Sequence, residues 1–254
     1  MSLGAACGGA IPPVRLPPEA TEPAPDAVAA WEQATTLCRS AASYSAEIHL
    51  SGRVGETGRK GTLRGALSAA NEIYLALSEP IGPPGFVLSG RGDRATLVVP
   101  RDKRVLVAPA ADIIEALTGM RLEPRELMAV LTGCVVPGGS AGSGGRAGDE
   151  RAVTVGASRV WMQRVHAGWR VTAGARPGLS MVYRTYGPSA PTEIAIASSG
   201  DAAVPFEFQV RVEQVVFDSP QVSAATFTPH PPAGATPLSL EELRRIGPLG
   251  EKKQ

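Results

Sequence analysis

Histidine is scarce in this chain, three in 254 residues. His49, His166 and His230 form no paired ligand spacing such as His-x-x-x-His, so a histidine-built metal centre has little to start from. No nucleophile elbow of the serine hydrolase kind is read from the sequence, and the glycines at 138 to 145 lack the Gly-Lys-Ser or Gly-Lys-Thr continuation that would make a phosphate-cradling loop. Gly90-Arg91-Gly92 has no third glycine and no following helix, so it is not a dinucleotide fingerprint. Charge of one sign is missing too: 25 basic residues against 24 acidic give +1, too even a balance to concentrate nucleic acid or an anionic surface. No run of eighteen apolar residues occurs, so no transmembrane helix is encoded here. Aromatics are only 5%. Together these absences argue against an enzyme, a nucleic-acid binder and a helical membrane protein.

What is abundant is glycine, 29 residues, and proline, 23, a composition of many turns and short strands rather than a helical bundle. The length fits one large β domain. Residues 1–26 read as a leader remnant and tether, because Ile11-Pro12-Pro13-Val14-Arg15-Leu16-Pro17-Pro18 and Glu22-Pro23-Ala24-Pro25 restrain the backbone against both helix and sheet. At about 3.1 Å per residue such a spacer reaches tens of ångströms. Residues 27–254 read as a single domain.

Asp26 is expected to cap a helix running to about Arg39, with Val28, Trp31, Thr35 and Cys38 on one face. Period-two alternation then begins at Tyr44, Ala46, Ile48 and Leu50. It recurs through Leu63, Gly65, Leu67; Ile73, Leu75, Leu77; Phe86, Leu88; and Ala95, Leu97, Val99. Gly55-Glu56-Thr57-Gly58 and Gly90-Arg91-Gly92-Asp93 supply hairpin turns. This is an antiparallel meander curling towards a barrel. The period changes at Ile113, Ile114 and Leu117, and again at Leu127, Val130 and Leu131, giving two short helices separated at Gly119 and restarted at Glu123-Pro124. They would cap one mouth. Residues 137–145 read as a flexible glycine loop. Strands resume at 152–155, 160–165, 169–172, 179–186, 193–197 and 206–216, and Ser239-Leu240-Glu241-Glu242 opens a short capped helix.

Cys7 follows the small residues Gly4-Ala5-Ala6, similar to the end of a bacterial lipoprotein signal, although Gly4 fills the slot where an apolar residue is usual and the charged segment expected of a leader is missing. The expectation is that Cys7 is the lipidated first residue of the mature protein, the alternative being a free thiol. That leaves Cys38 and Cys134 as an even pair, suited to an oxidising envelope. A bridge would close a long loop, worth roughly 4 to 5 kcal/mol in the chain-entropy model. Two buried reduced thiols are the alternative.

With these elements placed, the order of landmarks over about residues 28 to 135 resembles the LolA/LolB-like family of lipoprotein carriers and receptors. The first helix leads into the first long strand, as Trp31 through Tyr44 and Gly52 do here. A later strand ends in a Pro-Leu-Gly-like loop, here Pro80-Ile81-Gly82. Then comes Leu117-Thr118-Gly119-Met120, and a second helix ending in Leu131-Thr132-Gly133. The fold this implies is mainly β with α, a curled, half-closed antiparallel β-barrel with short helices capping one mouth. The lipidated start and tether look like the outer-membrane receptor of the family rather than its soluble carrier.

The resemblance implies an apolar cavity for lipoprotein acyl chains, walled by Ile48, Leu50, Leu63, Leu67, Ile73, Leu75, Leu77, Phe86, Leu88, Leu97 and Val99. Each methylene taken from water is worth about 0.8 kcal/mol. It also implies a membrane-insertion role for Ile81, a LolA-like periplasmic carrier and outer-membrane lipid as partners, a lipid-anchored place on the periplasmic face of the outer membrane, and no cofactor, no metal and no catalysis. Nothing in the sequence suggests an oligomer, so a monomer is expected. The alternative for the eleven alternating residues is an ordinary filled core, in a scaffold of the same fold.

Overall fold

The computed structural model describes residues 13–166, 168–200 and 204–246. Cys7 lies outside them. In chain order the elements begin with β1 (Glu22–Pro23), α1 (Ala27–Ser40), β2 (Ser43–Val54), β3 (Thr57–Ser68), β4 (Glu72–Leu77), β5 (Val87–Arg91), β6 (Arg94–Val99) and β7 (Arg104–Pro109). Two helices follow, α2 (Ala110–Thr118) and α3 (Pro124–Thr132). Then come β8 (Ala141–Ala147), β9 (Glu150–Val155), β10 (Ser158–Val165), β11 (Gly168–Arg176), β12 (Leu179–Tyr186), β13 (Pro191–Ser198) and β14 (Phe206–Phe217), a 3₁₀ turn at Ala224–Phe227, β15 (Thr236–Pro237) and α4 (Leu240–Ile246).

All fifteen described strands form one sheet, in the order β1-β8-β9-β10-β11-β12-β13-β14-β2-β3-β4-β5-β6-β7-β15. It is two antiparallel meanders joined where β14 lies beside β2; the pairing of β15 with β7 is parallel. The sheet is curled and unclosed. Alternation decides which side chains face in. Along the seam, Phe206, Phe208, Val210 and Val212 stand opposite Val54, Gly52, Leu50 and Ile48, and the four on β14 are buried. Their neighbours Glu207 and Arg53 face out and pair at 2.9 Å.

The helices close over the concave face. Helix α2 packs on β6 and β7, and α3 on β3, β4 and β13. Ile113, Ile114, Leu117, Met128, Val130 and Leu131 join Leu67, Ile73, Leu97, Met181 and Ile194 in one apolar cluster. Gly119 ends α2 in the left-handed region (φ 73°), and Glu123 starts α3 with a reciprocal capping box to Glu126. Buried Tyr183 donates to the carbonyl of Val130 at 3.0 Å, pinning α3 to the sheet, and burial holds its phenol well above the ordinary range. Cys38 and Cys134 form a disulfide with Cα atoms 5.9 Å apart, tying the end of α1 to the segment after α3.

Three expectations need correction. The glycine segment is not a flexible loop: residues 141–147 form β8, paired with β9 and β1. Its glycines answer a steric demand, since a Cβ at Gly145 would stand 2.5 Å from the carbonyl oxygen of Ala20. The tether is not free over its whole length either. Pro18 accepts a hydrogen bond from Trp161 Nε1 at 3.2 Å, Ala20 accepts one from Arg159, and Glu22 and Pro23 pair with Arg146 and Gly145. Proline carbonyls accept even though proline cannot donate, so this segment docks along the sheet edge and its outer face; the packed unit begins ahead of residue 27. Asp26 does not cap α1 with its side chain. Its carboxylate is drawn to Arg151 at 2.9 Å, which holds it below the usual carboxylate range.

Candidate functional site

The eleven residues expected to wall a cavity are all buried and all belong to the single large cluster that includes the helix side chains. The concavity is therefore occupied by α2 and α3 in this structure. A cavity of about 410 Å³ lies at the rim, and none of the eleven lines it.

This rim forms where three turns converge. Val54 ends β2, Arg59 lies just inside β3, Gly119 to Leu122 link α2 to α3, and Arg176 to Leu179 turn β11 into β12. The α2 terminus presses on the hairpin: a Cβ at Gly119 would meet Val54 at 3.1 Å and Phe206 at 3.3 Å. The left-handed backbone and the tight approach both call for glycine there. Val54, Ala116, Met120, Leu122, Leu179 and Phe206 supply apolar wall.

Charge at this mouth is mostly basic. Arg59, Arg121, Arg176 and Arg244 line the cavity against one acid, Glu115. Arg121 bonds Asp112 and reaches Glu115 at 3.0 Å, interactions that hold it firmly protonated. Arg176 pairs with Glu126 at 2.8 Å. Arg59 differs. It is only 9% exposed, its Nη1 is buried with no hydrogen-bond partner, and it forms no ion pair among the described residues. The sequence reading missed this residue. The signal was its parity, because Arg59, Gly61, Leu63, Gly65 and Leu67 are the inward row of β3.

Ile81 stands out from the same end of the sheet. β4 runs antiparallel to β3, with Leu77 opposite Leu63, so the chain leaves β4 towards the end where β3 begins. The Ser78 N–H donates to the Thr62 carbonyl, and those of Leu77 and Gly85 donate to the carbonyls of Phe86 and Leu77, closing the neck of the loop. Arg101 donates to the Ile81 carbonyl at 3.1 Å, and the Ile81 residue itself is 86% exposed.

Elsewhere the chemistry is local. His49 Nε2 lies 3.3 Å from Glu47 and 3.7 Å from Glu213 on the outward face, and its Nδ1 contacts the Thr62 hydroxyl at 3.0 Å. These three are the one group of metal-capable side chains gathered among the described residues; the sequence spacing did not reveal it, because Glu213 arrives only through the β14–β2 register. Gly138-Gly139-Ser140-Ala141-Gly142 matches the letters of a nucleophile elbow, contrary to the sequence reading. It leads into strand β8 and then β9 rather than into a helix, so it lacks that motif's strand-turn-helix setting. No described helix is long and apolar enough to cross a membrane.

The class so defined is a curled, unclosed and almost wholly antiparallel sheet covered by two short helices, with an apolar interior and a basic rim. The sequence matches no family model and no curated protein. Among solved structures, the chain is similar to a DUF1329 family protein from Desulfovibrio piger, with a TM-score of 0.52 at 9% identity over 82% of this chain and 98% of that one. It is also similar to a LolA superfamily protein from Nitrosomonas europaea, with a TM-score of 0.48 at 12% identity over 80% and 97%. At 9% identity the likeness to the Desulfovibrio piger protein is one of fold alone.

Proposed function

We propose that this protein binds the acyl chains of lipids or lipoproteins without catalysing a reaction. One observation carries the reading: the concave face of the sheet is largely apolar, with Arg59 at its rim, and is covered by two short helices, not by a second sheet. A lid of two nine-residue helices is a smaller unit to displace than a sheet, and each methylene taken from water onto the strands is worth about 0.8 kcal/mol, which offsets the apolar contact the lid gives up. The rim cavity, where α2 ends, is the natural entry.

The finer reading is a LolB-like receptor, anchored through Cys7 on the periplasmic face of the outer membrane. It would take lipoproteins from a LolA-like carrier and pass them to the membrane through the loop at Ile81. Supporting it are the Pro80-Ile81-Gly82 and Leu117-Thr118-Gly119-Met120 segments and the exposure of Ile81 in the loop that leaves β4 towards the end where β3 begins. The test is organic extraction of the purified protein followed by mass spectrometry, with titration of a fluorescent fatty acid. Co-purified acyl chains and saturable 1:1 binding are expected. Protein free of lipid that also ignores the probe would overturn the reading. That outcome selects a docking scaffold of the same fold, a reading favoured by the close packing of α2 and α3 on the eleven strand residues.

A further inference from the structure

The rim of the sheet carries a buried charge that no group among the described residues answers. Arg59 pairs in register with Gly52, which offers no side chain, and a Cβ there would collide with Phe208 and the Glu207 carbonyl. The nearby carboxylates are engaged: Glu115 with Arg121, Glu126 with Arg176. Arg59 is more than nine-tenths buried at the cavity wall, and Nη1 has no acceptor. A guanidinium cannot shed its proton to escape such a site. An unpaired buried charge is among the costliest arrangements in a protein, and the planar fork of arginine matches the oxygens of a carboxylate or a phosphate.

We propose that Arg59 receives the anionic head of a single-chain amphiphile whose hydrocarbon lies against Phe206, Leu179, Met120 and Leu122. This rests on the lipid-binding reading and adds the class of ligand. The shared chemistry is an anionic oxygen pair at the end of an alkyl chain, from a fatty acid or a lysophospholipid. Arg121, Arg176 and Arg244 surround the entrance with further positive charge, which draws anions in and repels cationic heads.

The experiment is isothermal titration of the full chain with oleate, lysophosphatidylglycerol and neutral monoolein, each below its micelle concentration. The wild type is expected to bind at least one anionic ligand roughly 30-fold or more tightly than monoolein, the factor that follows from pairing a buried charge. Which of the two binds tighter separates carboxylate from phosphate. Arg59→Met should bring the anions to the monoolein level without lowering the thermal midpoint of the ligand-free protein, because it removes an unpaired charge. Arg59→Lys should keep part of the preference. Binding of all three ligands with equal affinity to the wild type, or a preference surviving in Arg59→Met, overturns the inference and leaves lipid binding standing. Binding of none removes both.

Discussion

Gly144 and Ala27 meet so closely that a Cβ added at Gly144 would sit 2.2 Å from the Cβ of Ala27 and 2.9 Å from the carbonyl oxygen of Ala152. Helix α1 lies on β8 to β11 because this glycine has no side chain. Gly144→Ala should therefore destabilise the fold by about 1–3 kcal/mol, the usual cost of overpacking. Gly142→Ala, whose added Cβ would meet only the Thr154 carbonyl at 3.7 Å, should change it little. Guanidinium denaturation of the two variants makes the comparison.

The disulfide joins residues 96 apart in sequence. In the chain-entropy model a bridge over a loop of that size contributes about 4–5 kcal/mol. The double replacement Cys38→Ser, Cys134→Ser should lower the denaturation midpoint, and dithiothreitol should lower the wild type to match while leaving the variant where it is. A midpoint in the wild type indifferent to reductant would show that the bridge contributes nothing.

Ile81→Glu touches a side chain that packs on little, so its effect on stability should stay within about 0.5 kcal/mol. Under the receptor reading it should leave acyl-chain binding intact and abolish transfer of a lipoprotein from the protein to liposomes. Loss of binding and transfer together would place Ile81 in the ligand site instead.

The C-terminal helix should be sensitive to acid. Glu242 accepts from the Ser239 N–H at 2.9 Å and from Arg104 at 3.0 Å, and its carboxyl is held down at about 2, first by that N–H and then by Arg104. A carboxylate whose folded pKa lies below its unfolded value of about 4.3 stabilises the folded state fully above the higher value. That support declines as pH falls through the window between them. Amide exchange in residues 236–246 should rise between about pH 4.5 and pH 2 before the rest of the sheet opens, and Glu242→Gln should show the faster exchange already at neutral pH.

Much of this architecture was legible in the residues because strands carry a binary signal. Ile48 and Leu50, or Leu63 and Leu67, could face only one way once their polar neighbours faced the other, and Gly119 and Glu123-Pro124 marked helix ends by backbone geometry. What escaped was set by sterics between distant segments. The stretch Gly142-Ser143-Gly144-Gly145 looks flexible as letters, yet it forms a strand in which Ala27 and Ala20 leave no room for side chains at Gly144 and Gly145. The docking of Pro18 to Pro23 depends on backbone carbonyls, which every sequence has. At the candidate site the limit was of another kind. Alternation assigned the inward face but could not say that Ile113, Leu117 and Val130 would fill it, nor that Arg59, in the same row as Leu63, would be left without a counter-charge.

The earliest and latest strands described, β1 and β15, are also the two outer strands of the sheet. A wide sheet with bare margins invites a neighbour to add its own strand, and short proline-bearing strips are a way to discourage that. Pro23 and Pro237 lie in such strips, hemming each side like the selvedge of a cloth. Cutting away residues before 27 or after 235 would unpick one hem, baring the ladder of β8 or β7 to the next molecule and turning a self-contained sheet into a template for fibres.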